Sequence, residues 1–580
     1  MSESLLQTVR KTVQFLEHRR EDWLAAWQGV ADYIVPRKGR FHASGGATTP
    51  QRNTGKIIDA TASRAIRVLA AGMQSGLTSP AQPWFRLRLI DKDLMEHGPV
   101  RLWLDDVETR IYNELAHAGF YQASHNMYAE LAAFGSADMY MASDQERLFS
   151  FSTLTCGEYA WACNGHGKVD TVLRKVQMTA RQLAQKYGTE ALSRSARRML
   201  ARDPYSTIEV AHLVYPRKGV SFAGKATRDS LVTNTTMPWA SVVFETGTDA
   251  QSVLRESGFN EFPHLCGRWD VTGADVYGYS PAMDVLPDVK MLQEMAKSQL
   301  LAVHKVINPP MRVPAGYKQR LNLIPGAQNF VNSTQQDAVS PLYQINPDIQ
   351  AVSYKIEDVR KGIREGFFND LFLMFTGEGR SNITATEVME RSQEKMLMLG
   401  PVIERHQTEI LDPLLGRMLG VLQRAGKLPE APQELHGREL QVEYVSVLAQ
   451  AQKMAGANAV RQLTEQVGRL ATVAPTVLDK IDFDQCVDEM ATTAGVPARI
   501  LRSDQDVEER RAAATQKMQA QQLPEQLEKM FGSASAASKL FAEQPELLEQ
   551  LSAHFSGGGE ETSRDGADGL SRKALQYLAG

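Results

Sequence analysis

Two amphipathic stretches of nearly equal length, held apart by a segment that cannot continue either one, limit this chain more than any other feature. Residues 289–307 carry Leu292, Ala296, Leu300, Val303 and Ile307 in one apolar row and stop at Asn308-Pro309-Pro310. Residues 354–374 repeat the pattern with Ile356, Val359, Ile363, Phe367, Leu371 and Met374. At 1.5 Å per residue each helix is about 28 to 32 Å long, which predicts a pair packed side by side. The roughly 45 residues between them hold Pro310, Pro314, Pro325, Pro341 and Pro347. That is too long for a helical hairpin loop and predicts a small excursion of its own.

On the N-terminal side, Leu6, Val9, Val13, Leu16, Trp23, Trp27, Val30 and Ile34 predict a helix closed by Pro36, with Trp23 and Trp27 in the core. A basic, Gly- and Thr-rich loop leads to a second helix over 57–75, a short strand at 84–89, and helices over 99–118 and 121–134. From 147 to 281 the period changes to two. LFSFSTL, EYAWAC and VDTVLRKVQM predict a β-meander interrupted by one helix near 180–187, with further strands at 205–214, 238–246 and 251–257. Beyond the second amphipathic stretch, Gly377 and Gly379 break the pattern. Thr384 with Glu387 then makes a capping box for a long helix, bent near Pro401 and Pro413 and ending near Gly426. LQVEYVS at 440–446 reads as a strand, 447–522 as largely helical, and the last 55 or so residues as a hydrophilic, mobile tail. The fold class is therefore α+β, mostly helical, with a β-rich subdomain at about 145–280.

Several functions are disfavoured by what the chain lacks. Sixty-four Lys plus Arg against 68 Asp plus Glu leave a net charge of −4, unlike a protein that grips many DNA phosphates. No stretch approaches the roughly 20 apolar residues of a membrane span, and the N-terminus is a charged amphipathic segment rather than a signal peptide, so a cytoplasmic origin is expected. GxxxxGK[ST], HExxH and GxSxG are absent, and GEG at 377–379 is too short to signal a phosphate loop. No catalytic residue, metal site or cofactor is expected. Four cysteines read as buried thiols, and His406 as a polar surface residue of the long helix.

IIDATASRAIRVLAAGMQSGLTSPAQPWFRL (57–87), VYGYSPAMDVLPDVKMLQ (276–293) and TATEVMERSQEKMLMLGPVIERHQTEIL (384–411) together resemble the portal, or head-to-tail connector, family of short-tailed, podovirus-like bacteriophages. The resemblance runs in order over roughly residues 10–520. It implies a non-enzymatic ring, usually of twelve copies, at one capsid vertex of the virion, assembled in the host cytoplasm. Double-stranded DNA would pass through it during packaging and ejection. Its implied partners are the terminase large subunit, major capsid and scaffolding proteins, and tail adaptors, with no membrane. On this resemblance 1–280 is the wing, 281–309 the first stem helix, 310–353 the clip and 354–375 the second stem helix. Residues 376–383 are the tunnel loop, 384–439 a long wing helix, 440–525 the crown and 526–580 the tail.

The resemblance also implies site residues. The tunnel loop, Thr376, Gly377, Glu378, Gly379, Arg380, Ser381 and Asn382, would touch DNA, where the residues alone indicate no more than a turn between helices. Lys355, Arg360, Lys361 and Arg364 either line the channel or form a solvated face with i,i+4 pairs such as Glu357 with Lys361. Arg312, Lys318 and Arg320 in the clip would meet terminase or an adaptor. Two rivals stand beside this reading: a helical adaptor or internal virion protein without a channel, and a DNA-processing hydrolase of the packaging apparatus.

Overall fold

The computed structural model describes residues 2–39, 41, 54–91, 94–95, 97–143, 148–217, 237–246, 253–313, 321–322, 340–342, 348–374, 399–435, 438, 440–445, 463–470, 482–487, 507 and 510–515. The chain divides into two compact units, Met1–Asp91 with Leu102–Val496, and Lys92–Arg101 with Pro497–Gly580. The second is described only at residues 94–95, at 97–101, which begin a helix, and at 507 and 510–515. The three- and five-stranded sheets and the central helix pair belong to the first.

The N-terminal helices are α1 (Ser2–Tyr33), α2 (Thr61–Leu77), α3 (Gly98–His117) and α4 (Phe120–Phe134), with β1 (Phe85–Leu89) between α2 and α3. α1 buries the expected row, Val9, Val13, Leu16, Trp27 and Val30, while Trp23 is half-buried. α2 packs against α4 and buries mostly small residues, among them Ala62, Ala65, Ala70 and Gly72. Gly135 ends α4 at φ 71° with its N–H on the Leu131 carbonyl. A Cβ there would stand 2.2 Å from the Gly278 carbonyl oxygen, so both backbone angle and space require glycine.

The β-rich part contains β2 (Ser136–Ala142), β3 (Ser150–Leu154), β4 (Tyr159–Cys163), β5 (Val169–Thr179), β6 (Thr207–Pro216), β7 (Trp239–Glu245), β8 (Val253–Phe259) and β9 (His264–Arg268). Two antiparallel sheets result, one in the order β3-β2-β9 and one in the order β4-β5-β6-β7-β8. The second sheet is covered on both faces. Val9, Val13 and Leu16 of α1 meet Ala160, Leu173, Ala211, Leu213 and Val242 on one side. On the other, α5 (Ala180–Tyr187) and α6 (Arg194–Arg202) bring Leu183, Leu192 and Ala196 against Val210, Val243 and Leu254.

Three features here depart from the sequence expectation. α6 is a second helix in the meander, missed because RSARRMLAR buries only Ala196; Ser193 caps it by accepting from the Ala196 N–H. β2 and β9 were not foreseen, because both are almost wholly buried and so lack the alternation that marks a strand with one wet face. The predicted strand 440–446 appears as β12 (Leu440–Tyr444) and pairs antiparallel with β1, from Phe85↔Tyr444 to Leu89↔Leu440.

After β9 come α7 (Pro281–Asp284), α8 (Leu286–Ile307), β10 (Met311–Arg312), β11 (Ser340–Pro341), α9 (Ile349–Gly366) and α10 (Asn369–Met374). The second amphipathic stretch is therefore two helices rather than one. Phe368, at φ 56°, breaks it between α9 and α10. The described part of the long C-terminal helix runs from 399 to α11 (Asp412–Arg424) and opens into a π turn at Gln407–Leu411. Pro413 follows one residue after that turn, and its missing N–H accounts for a wider turn where only a bend was expected. Glu409 on the π turn binds Arg268 through the backbone N–H and the guanidinium.

His406 is a correction. It is 1% exposed, with its Nε2 3.1 Å from the Tyr128 hydroxyl, and burial lowers its pKa to about 3. Its neighbours on the helix are polar enough to suggest a wet face, but Tyr128 on α4 covers it. Cys156 and Cys266 are buried thiols as expected, whereas Cys163 and Cys486 are only partly buried.

Candidate functional site

α8 and α9 form an antiparallel pair. Val285, just before α8, lies against Gly366 at the end of α9, and Gln299 Nε2 donates to Ser353 Oγ at 3.0 Å further along. A Cβ at Gly366 would meet Val285 Cγ1 at 2.3 Å, so this glycine permits the close approach. Ser280 sets the start of the pair: its hydroxyl accepts from the Met283 N–H and donates to the Ala133 carbonyl.

One short turn before α2 fastens both helices. From α8, Gln293 Oε1 accepts from the Ile58 and Asp59 N–H groups at 2.7 and 2.9 Å, and its Nε2 donates to the Asp59 carbonyl. From α9, Arg360 donates to Asp59 Oδ2 through Nε at 3.0 Å and NH2 at 2.7 Å, while the Thr61 N–H donates to Oδ1. Burial opposes the Asp59 charge, but the bonds from Thr61 and Arg360 outweigh it and hold the carboxyl below its usual range. The segment IIDATASRA thus acts as a clasp on the helix pair.

Burial fades along the pair. Val289 and Leu292 are buried near the clasp, whereas Leu300, Leu301, Val306 and Ile307 are 52%, 51%, 46% and 67% exposed. Tyr354 at the matching end of α9 is also exposed. Beyond this end β10 and β11 pair antiparallel, Met311↔Pro341 and Arg312↔Ser340, so the proline-rich excursion leaves and returns through a two-residue ladder.

All four candidate channel-lining cations lie on α9, and each has a carboxylate partner in the chain. Lys355 meets Asp358 at 3.0 Å, Lys361 meets Glu365 at 3.7 Å, Arg364 meets Glu357 at 2.6 Å, and Arg360 bridges Asp59 and Glu357. Hydrogen bonds from Arg364 and Arg360 hold the Glu357 carboxyl below its usual range. Glu357 thus pairs with Arg360 and Arg364 rather than with the expected Lys361. The Lys355, Lys361 and Arg364 pairs are exposed, of a kind that contributes about 0 to 1 kcal/mol, whereas Arg360 also holds the largely buried Asp59 carboxylate. Arg312 is exposed within the ladder. Lys318, Arg320 and the segment Thr376, Gly377, Glu378, Gly379, Arg380, Ser381 and Asn382 lie outside the described residues, as do the Thr384–Glu387 capping box and residues 516–580.

Sequence reasoning missed the clasp and the Phe368 break. Asp59 and Arg360 are about 300 positions apart, and nothing local marks either as a partner. Among the described residues no three His, Cys, Asp or Glu side chains converge on a metal-sized site, and no helix is long and apolar enough to cross a membrane.

The architecture is that of a mixed α and β subunit built around an antiparallel helix pair with an excursion at its far end. The chain belongs to the family of bacteriophage head to tail connecting proteins, which it matches over residues 6–501. It is 38% identical over 528 residues to a portal protein of Salmonella phage epsilon15, covering 90% of this chain and 93% of that one. It is likewise 38% identical over 512 residues to a probable portal protein of Bordetella phage BPP-1, covering 87% and 91%. Among solved structures, a chain from the virion of a native gene transfer agent particle aligns with a TM-score of 0.33 and 12% identity, over 76% of this chain and 94% of that one.

Proposed function

We propose that the chain is a structural portal subunit, a non-enzymatic ring component at one capsid vertex that lets DNA pass during packaging and ejection and offers a docking platform for terminase and tail proteins. The observation that carries this reading is the match over about nine tenths of the chain to a portal protein of similar length. On this reading α8 and α9 are the stem, the excursion opening at β10 and β11 is the clip, and residues 376–383 are the tunnel loop. The N-terminal helices and the three- and five-stranded sheets belong to the wing and 440–525 to the crown, whose first strand, β12, pairs with β1.

Ring formation draws support from the apolar end of α8. Leu300, Leu301, Val306 and Ile307 face water in the single subunit, and a second copy packed alongside would cover them. Such a contact joins two different surfaces, and closed rings arise from contacts of that kind. The neutralised cations of α9 suit a conduit, since each phosphate held firmly would add a salt-dependent grip that moving DNA must break. The inferred partners are about twelve copies of the chain, terminase large subunit, major capsid and scaffolding proteins and tail adaptors, with assembly in the host cytoplasm.

Native mass spectrometry of the purified protein, with negative-stain images of the same sample, tests this. At 64.3 kDa per chain, a ring of twelve weighs roughly 770 kDa and shows a central hole. A small oligomer that stays small with capsid and scaffolding proteins present contradicts the reading and favours a non-channel adaptor.

A further inference from the structure

Strand register aligns Arg174 on β5, His212 on β6, Val243 on β7 and Arg255 on β8, so these four side chains share one face of the five-stranded sheet. α5 and α6 pack on that same face. Lys186 and Tyr187 stand in the last turn of α5, and Tyr140 of β2 sets its ring edge-on to His212 with centroids 5.9 Å apart. Three cations and two phenols therefore gather around one row of the sheet.

Carboxylates near the row are already paired: Asp138 holds His264, whose ring lies 4.9 Å from that of Tyr140. Among the described residues Arg174, Lys186 and Arg255 make no ion pair, and the Tyr140 and Tyr187 hydroxyls have no hydrogen-bond partner. The neighbouring carboxylates are committed elsewhere: Glu209 to Lys175, Glu256 to Arg217, and Glu245 to Ser193 at the start of α6. Nε of Arg174 is buried with no partner. Desolvation, and then the charges of Arg174 and Arg255, hold the Lys186 ammonium below the usual lysine range. His212 adds no charge, because burial and then His264 lower its pKa to about 3. Like charges gathered in partly desolvated surroundings repel one another, and an anion placed among them removes that cost.

We propose that Arg174, Lys186 and Arg255, with the hydroxyls of Tyr140 and Tyr187, form a binding site for a phosphate group. A phosphate monoester or free phosphate carries about −1.5 to −2 charges and three strong acceptor oxygens, which three cations and two hydroxyl donors can satisfy together. A carboxylate brings one charge and fewer acceptors, and the two guanidinium groups add the planar fork that binds phosphate oxygens in pairs. Two sources carry this chemistry, free phosphate and a DNA backbone. The site is independent of ring formation, so its failure leaves the portal reading untouched.

The test is calorimetric titration of the full-length protein at low salt, with inorganic phosphate in one arm and a 20-base-pair duplex in the other. Saturable phosphate binding is expected, weakened at least about ten-fold by Arg255→Gln and by Lys186→Gln and unchanged by Arg64→Gln on α2, outside the row. Arg255 is exposed, so its variant should fold, which a melting curve verifies. Duplex binding that is sensitive to the same substitutions and competed by phosphate identifies a DNA backbone as the source; phosphate binding without such competition identifies free phosphate. No saturable binding in either arm, or binding that both substitutions leave intact, overturns the proposal.

Discussion

Replacing Leu300 and Ile307 together by serine should dissolve the ring and leave the subunit folded. These side chains are 52% and 67% exposed in the single chain, so the fold itself gains little from them. Full burial of a Leu or Ile contributes roughly 1.5 to 3 kcal/mol, so covering the exposed half to two thirds gives about 1 to 2 kcal/mol each. Losing both weakens each subunit contact by about 2 to 4 kcal/mol, roughly thirty-fold to several hundred-fold in its equilibrium constant. The penalty recurs at every contact of a closed ring. Light scattering over a concentration series should show particles of wild-type size replaced by small species, while the circular dichroism melting curve stays near wild type. Wild-type-sized particles at every concentration would refute the placement of this face at a subunit contact. A collapsed melting curve would show that both residues belong to the fold's own core.

Arg360→Ala leaves the Asp59 carboxylate with the Thr61 N–H but without its cation; because Arg360 is partly exposed, about 1 to 2 kcal/mol of stability should be lost, read as a lower urea midpoint. The Asp59 pKa is lowered in the fold, so its contribution is present above the unfolded value near 4 and is lost as pH falls through the folded one. The gap between wild type and Arg360→Ala should therefore narrow in acid. Gly72→Ala should destabilise by about 1 to 3 kcal/mol, since its Cβ would lie 2.2 Å from the Phe372 ring, and Phe372→Leu should recover part of the loss. His406 is held neutral with a pKa near 3, so between about pH 6.5 and 3 the unfolded chain takes up a proton that the folded chain refuses, and stability falls as pH drops. In His406→Gln that acid loss should be shallower by up to about 1.4 kcal/mol per pH unit in urea titrations. Deleting Gly377 to Asn382 should leave ring mass unchanged while lowering the DNA content of assembled particles; loss of assembly would make this segment a structural turn.

The amphipathic helices were legible because their periodicity is a local property. α1, α2, α4 and α8 begin and end within a few residues of where spacing, Pro36 and Asn308 put them. Strands with one wet face could be read from alternation, but β2 and β9, buried on both sides, could not. Phe368 interrupts an unbroken apolar row with no glycine or proline to announce it. The four cations of α9 were visible as a charged face, yet their partners were not. Arg360 reaches an aspartate on a distant turn, and Arg364 rather than Lys361 takes Glu357. The Arg174–Arg255 row was invisible because strand register, set by the whole sheet, brings those residues onto one face.

A cryo-electron microscopy reconstruction of the purified ring, with the distance of α8 from the rotation axis measured, tests the central claim most directly. Twelve helices about 10 Å across, standing side by side, have a centre line roughly 38 Å in diameter and leave an opening of roughly 28 Å, wide enough for a duplex. The account predicts the α8 axis within about 20 to 25 Å of the ring axis, with Leu300 and Ile307 against the neighbouring subunit. A ring with α8 and α9 at its outer rim, or with Leu300 and Ile307 facing solvent, would contradict it.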